Sequence, residues 1–211
     1  GGHQPAVEGA GLEGDERRRY FACANPHSLA VADGDPDFRQ ALLDAHLLVP
    51  DGVGILLGSR ILRGHIRKQV TGPDIFTGLS RRLDARGDER FSYFFLGASE
   101  ESLRKISARL ARDYPNIPLA GVYSPPFKDE FSAEDSRRMI EAVNAARPDV
   151  LWVGMTAPKQ EKWIHEHLDR LDVRFVGAVG AVFDIYSGKI KSLNPVFWQL
   201  GIAWFVRLCL E

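Results

Sequence analysis

This sequence predicts an α/β fold, one domain with a mostly parallel sheet wrapped by helices, and three observations point there. From residue 19 onward, short apolar runs alternate with helical patterns. Most of these runs are apolar at consecutive positions, as strands covered on both faces of a parallel sheet require. The connections are short, so each strand leads through a helix to the next. The predicted strands are 20–24, 46–49, 91–96, 117–123, 150–153 and 174–176. The predicted helices are 36–45, 74–85, 100–113, 133–146 and 158–168.

In chain order, residues 1–14 are rich in Gly and polar residues without periodicity, so 1–18 is set apart as a frayed or added end. The core is expected over 19–194. After the first strand, Asp35-Pro36 starts a helix, with a capping side chain followed by a residue whose missing N–H costs nothing there. Asp33-Gly34-Asp35 also imitates a metal-holding D-x-D, but convergent oxygens for an octahedral ion are missing and the cap is the better reading. The second strand ends in Pro50-Asp51-Gly52, and Thr71-Gly72-Pro73-Asp74 opens the next helix. Tyr114-Pro115 and Arg147-Pro148 stop two helices, because the residue before proline is pushed out of the α region. Ser132 and Asp135 form a capping box, and Pro158 suits a first turn. Residues 195–211, PVFWQLGIAWFVRLCLE, predict a helix apolar almost all round, too short at about 1.5 Å per residue to cross a ~30 Å bilayer. Its second face is expected to meet a subunit partner, further chain or membrane lipid.

The 211 residues suit one generous domain. With 27 Lys+Arg against 28 Asp+Glu the net charge is −1, not the overall basic balance of a nucleic-acid binder. Cys23 and Cys209 can make neither a disulfide framework nor a Cys-rich metal site. No apolar run reaches the ~18 to 20 residues of a membrane span, and no signal peptide opens the chain, so a cytoplasmic setting is expected. His165 and His167 fall on different helix faces and cannot share a metal. The G-x-G-x-x-G, P-loop and G-x-S-x-G signatures are all missing.

In sheets of this kind, ligands sit outside the carboxyl ends of the strands. Glycines and polar residues gather there after every predicted strand, which favours a small-ligand site. Asp51 follows an apolar strand and precedes two glycines, so its carboxylate is expected in the crevice, with a turn or cap as the competing reading. Thr71 and Asp74 read equally as capping chemistry. Lys159, Gln160 and Glu161 occupy a first helical turn, where free N–H groups attract phosphate; the competing reading is a solvated helix start with a surface ion pair.

The segments FACANPHSL, VPDGVGI, VTGPDIF, VGMTAPKQEKWI and VGAVGAVFDIYSGKIK occur in the order found in the WecG/TagA/CpsF glycosyltransferases, which the chain resembles from about residue 19 to its C-terminus. The resemblance implies an inverting, metal-independent transferase on a Rossmann-like core. It implies a UDP-sugar donor, carrying N-acetylmannosamine or similar, or glucuronic acid, and no other cofactor. The acceptor would be a polyprenyl-diphosphate-linked saccharide at the inner face of the plasma membrane. Asp51 becomes the candidate general base for the acceptor hydroxyl, and Asn25 positions sugar or acceptor. Tyr123 would stack on the uracil. Cys23, Thr71, Asp74, Thr156, Lys159, Gln160, Glu161, Gly180 and Asp184 would line the nucleotide-sugar pocket. Cys23 stands where several members carry threonine, and Ala203 where a glutamate often precedes the tryptophan. Members also run on past the equivalent of Glu211, so this chain is expected to be a truncated or a divergent member. A membrane surface met by the C-terminal region, and a homo-oligomer, complete the expected partners. The rival readings are a nucleotide-dependent oxidoreductase on a similar fold and a non-catalytic nucleotide-sugar sensor.

Overall fold

The computed structural model describes residues 18–87 and 91–189. In chain order they form β1 (Arg19–Ala24), α1 (Pro26–Gly34), α2 (Pro36–Leu43), β2 (Leu47–Pro50), α3 (Val53–Ile61), α4 (Gly72–Asp84), β3 (Tyr93–Gly97), α5 (Glu100–Asp113), β4 (Leu119–Tyr123), α6 (Ala133–Ala146), β5 (Val150–Gly154), α7 (Lys159–His167), a 3-10 turn (Leu168–Arg170), β6 (Phe175–Ala178) and α8 (Ala181–Tyr186). The six strands make one parallel sheet in the order β2-β1-β6-β5-β3-β4.

Successive strand residues point to opposite faces, and each face has its own core. Phe21, Tyr93, Phe95, Val150 and Trp152 meet Phe76 of α4, Leu103, Ile106 and Leu110 of α5, and Phe183 and Tyr186 of α8. Tyr20, Phe94, Leu96, Leu151 and Val153 meet Met139, Ile140 and Val143 of α6 and Trp163 and Ile164 of α7. Ala22 closes a smaller cluster with Ala32, Phe38 and Leu42 of α1 and α2. Apolar residues at consecutive strand positions are therefore what a sheet with helices on both faces demands.

The expected single α/β domain with a parallel sheet is what forms, with several local differences. Three helices were not anticipated. Helix α1 lacks an apolar stripe, α3 is apolar without a capping side chain, and α8 has only six residues. Strands β2 and β4 are partly exposed because they are the sheet edges, where burial on both faces is not available. The predicted strand 117–123 starts at Leu119, after Pro118, which has no N–H for a ladder. Helix α7 starts one residue late, with Pro158 as its cap behind a cis Ala157–Pro158 bond. Asp35 caps α2, accepting from Phe38 N–H at 3.0 Å, so the capping reading of Asp33-Gly34-Asp35 is the one realised. The predicted helix at 195–211 and the end segment 1–17 lie outside the described residues.

Candidate functional site

The connection leaving β3 runs outward to β4, while the one leaving β5 runs back to β6, so paths diverge between these neighbours. Gly97 and Gly154 face each other in register at the carboxyl ends. Their backbones press so closely that a Cβ on Gly97 would lie 2.3 Å from the Gly154 carbonyl oxygen, and Ala98 N–H donates to that oxygen at 3.1 Å. Just beyond, Ala98 (φ 58°) and Thr156 (φ 65°) are held in the left-handed region. Each such residue costs on the order of 1 kcal/mol, and such strain gathers at functional sites. The sequence hint was two strand-ending glycines, whose pairing needs the register to be seen.

Five of the predicted site residues lie at the carboxyl ends of β2, β1, β6 and β5, which are neighbours in the sheet. Asp51 is half-buried at the end of β2, its N–H tied to the Ala24 carbonyl at 2.8 Å. Cys23 is half-buried on the neighbouring β1, its sulfur 3.7 Å from where a Cβ on Gly72, at the start of α4, would lie. Burial above all, then the Asp51 and Glu161 carboxylates, push this thiol up to about 12, so it stays protonated at neutral pH. Glu161 is only 2% exposed. Burial holds its carboxyl above the ordinary range. Its Oε1 accepts from Gln160 Nε2 at 2.8 Å, and its Oε2 has no hydrogen-bond partner among the described residues. Gln160, also buried, accepts through one oxygen from Met155 N–H at 3.2 Å and Gly180 N–H at 3.1 Å, joining the ends of β5 and β6. Neither side chain is the solvated ion-pairing group that the competing sequence reading described. The phosphate reading of this turn is narrowed too, since Gln160 N–H is already given to the Thr156 carbonyl at 3.0 Å.

Other predicted residues serve local structure at the rim. Asn25 caps α1, its Oδ1 accepting from Ser28 N–H at 2.8 Å while its own N–H donates to Ser28 Oγ at 2.8 Å. Pro26, next to it, approaches Gly52 and Gly54, so Asn25 stands near Asp51's loop. Thr71 and Asp74 form a capping box: Asp74 Oδ2 accepts from Thr71 N–H (2.9 Å) and Oγ1 (2.8 Å). Asp184, in the first turn of α8, lies 3.4 Å from Lys189.

Two predicted residues are carried away from this cluster. Lys159 donates to the Lys128 carbonyl and lies over the Phe131 ring, 5.0 Å from its centroid. Tyr123 ends β4, the far edge strand, five strand spacings or about 24 Å from β2. It lines a separate cleft of about 540 Å³ with Glu100, Leu103, Arg104, Ser107, Val122 and Ser124.

The family model described as "Glycosyl transferase WecG/TagA/CpsF family" matches residues 8–211. Curated relatives include an N-acetylglucosaminyldiphosphoundecaprenol N-acetyl-beta-D-mannosaminyltransferase of Bacillus spizizenii, 28% identical over 90% of this chain and 70% of its own length. The proteins of that name from Bacillus subtilis (27%; 90% and 71%) and Staphylococcus aureus (23%; 91% and 72%) are similar too. With the match covering nearly the whole chain and the parallel sheet in place beneath it, this protein belongs to the WecG/TagA/CpsF family of glycosyltransferases.

Proposed function

We propose that this protein moves a sugar, with inversion, from a UDP-sugar to a polyprenyl-diphosphate-linked saccharide, with N-acetylmannosamine or a similar sugar, or glucuronic acid, as the group transferred. The observation that carries this is the position of Asp51, half-buried at the sheet's carboxyl edge beside a neutral thiol and a second, buried carboxyl. The names of the relatives, which describe mannosaminyl transfer to a diphosphoundecaprenol-linked sugar, support the acceptor class.

In this reading Asp51 takes the proton of the acceptor hydroxyl as its oxygen attacks the anomeric carbon from the face opposite the diphosphate. The bond from that carbon to the diphosphate oxygen breaks, and UDP leaves with the electron pair. Asn25 orients the sugar or acceptor from α1. Thr156, Gln160, Gly180 and Asp184 shape the donor side, and no metal takes part. Peripheral attachment at the inner membrane face follows from a lipid-linked acceptor.

Asp51→Asn keeps size and shape while removing the base. It is expected to cut turnover at least ~100-fold while UDP binding, read by calorimetry, persists. Near-normal turnover would overturn the assignment. Transfer is expected to survive EDTA, and a strict divalent requirement would return attention to Asp33 and Asp35.

A further inference from the structure

Between Asp51 and Thr71 the chain makes an excursion that the core does not claim. None of the nine residues of α3 is buried. Val53, Leu57 and Ile61 recur at i, i+4 and i+8, so they form one stripe along the helix. Leu57 is 57% exposed and Ile61 71%, and the stripe runs on through Leu62, at 83%, to Ile66. The turn behind the helix is internally tied, with Ile66 N–H donating to Ser59 Oγ at 3.1 Å and Arg67 Nη1 to the Gly64 carbonyl at 3.0 Å. The excursion closes where Val70 N–H meets the Pro50 carbonyl at 3.0 Å. It therefore hangs from the same sheet edge as Asp51.

We propose that this excursion, residues 53–68, is a docking face for an anionic lipid surface, on which the apolar stripe inserts and the cations meet headgroups. Charge decides the occupant. Arg60, Arg63, Arg67 and Lys68 are all exposed and have no carboxylate partner among the described residues, and no Asp or Glu occurs from 52 to 73. An apolar face flanked by unpaired cations is the pattern of a helix lying in a membrane interface. Residues 190–211 of this chain carry Lys191, Arg207 and Glu211, a net positive set that does not complement four cations. A second copy packed two-fold on the same patch would set like charges against each other. At about 1.5 Å per residue α3 is far too short to cross a bilayer, so it lies on the surface. The purpose of the face rests on the proposed lipid-linked acceptor: docking here brings the loop bearing Asp51 to the headgroup level.

Flotation of the full chain with phosphatidylcholine vesicles, with and without one quarter phosphatidylglycerol, tests this directly. Binding is expected on the anionic vesicles, weakened at least about tenfold between low and high salt. Leu57→Gln/Ile61→Gln and Arg60→Glu/Lys68→Glu are each expected to lower it at least about tenfold, with melting temperature and UDP binding unchanged. Undiminished binding of both variants, equal binding to neutral vesicles, or no flotation would overturn the docking face. So would light scattering that shows a dimer dissolved by these substitutions. UDP binding and sugar transfer to a short, water-soluble acceptor judge the transferase reading separately, so either can fail alone.

Discussion

Cys23 shows how one position can be legible in kind and not in state. The family resemblance, in which several members carry threonine at this position near the end of the first strand, marked it as part of the pocket, but burial and two carboxylates decide that its sulfur is a thiol. With that thiol held at about 12, the thiolate fraction at pH 8 is about 10⁻⁴. Alkylation by iodoacetamide at pH 8, followed by peptide mass spectrometry, should therefore proceed at Cys23 orders of magnitude more slowly than with free cysteine. Rapid modification would mean that the sulfur is open and ionised. Glu161 makes the complementary case. Its folded carboxyl is raised by burial, so the fold favours the protonated form and loses stability as pH climbs above the unfolded value of about 4.3. Glu161→Gln keeps the oxygen that accepts from Gln160 and removes the buried charge. The variant should melt higher than the parent at pH 8, with the gap closing toward pH 4 in calorimetric scans. A fall in sugar transfer alongside that gain would show stability given up for function. The residue types at this site were readable along the chain; which of them touch, and which face inward, depended on strand order.

Among the elements, helix starts were the most legible, because capping is local chemistry. In α6, Ser132 Oγ accepts from Asp135 N–H at 3.1 Å, and Asp135 Oδ2 accepts from Ser132 N–H at 3.0 Å. The sequence did not show Lys128, whose ammonium lies 2.7 Å from the same Oδ2 and, with the Ser132 hydrogen bonds, holds this carboxyl near about 2. A depressed carboxyl contributes stability above its unfolded value of about 3.9, and that stability is lost as pH falls toward 2. Urea midpoints measured from pH 5 down to pH 2 should fall more steeply for the parent than for Asp135→Asn, and parallel slopes would contradict the pairing. The elements that escaped sequence reading share a physical cause. In α1 and α8 the apolar residues show no usable stripe over so short a length, and α3 has apolar residues without a core to receive them. Periodicity is readable only over several turns, and α8, which buries Val182, Phe183 and Tyr186, has six residues.

At the scale of the whole molecule, the sheet is held from its middle. Trp152, fully buried on β5, meets Phe76 with ring centroids 5.0 Å apart and Tyr93 at 5.6 Å, with Phe21 and Phe175 at 6.2 and 6.3 Å. It thus ties β1, β3, β6 and α4 together. Trp152→Ala should cost about 3 to 5 kcal/mol, the range for deleting a large buried aromatic. The loss would be read as a shifted urea midpoint with an unchanged slope. A change under about 1 kcal/mol would show that the neighbours collapse into the space. The parallel α/β class was legible because alternation and doubly apolar strands are imposed by that architecture. Strand order was not, since nothing local says that β5 and β6 insert between β1 and β3. That insertion brings the Glu161 carboxyl within electrostatic reach of Cys23 and leaves Tyr123 on the far edge.

The same insertion gives Gln160 a role with a wider reach than its size suggests. One side-chain oxygen serves the amides of two loops, behind β5 and behind β6. An acceptor shared in this way is a balance: a pull toward Met155 slackens the hold on Gly180, and the reverse. Neither rim of the crevice can then be redrawn alone. A guest that draws the Gln160 oxygen toward one rim lengthens its hydrogen bond to the other.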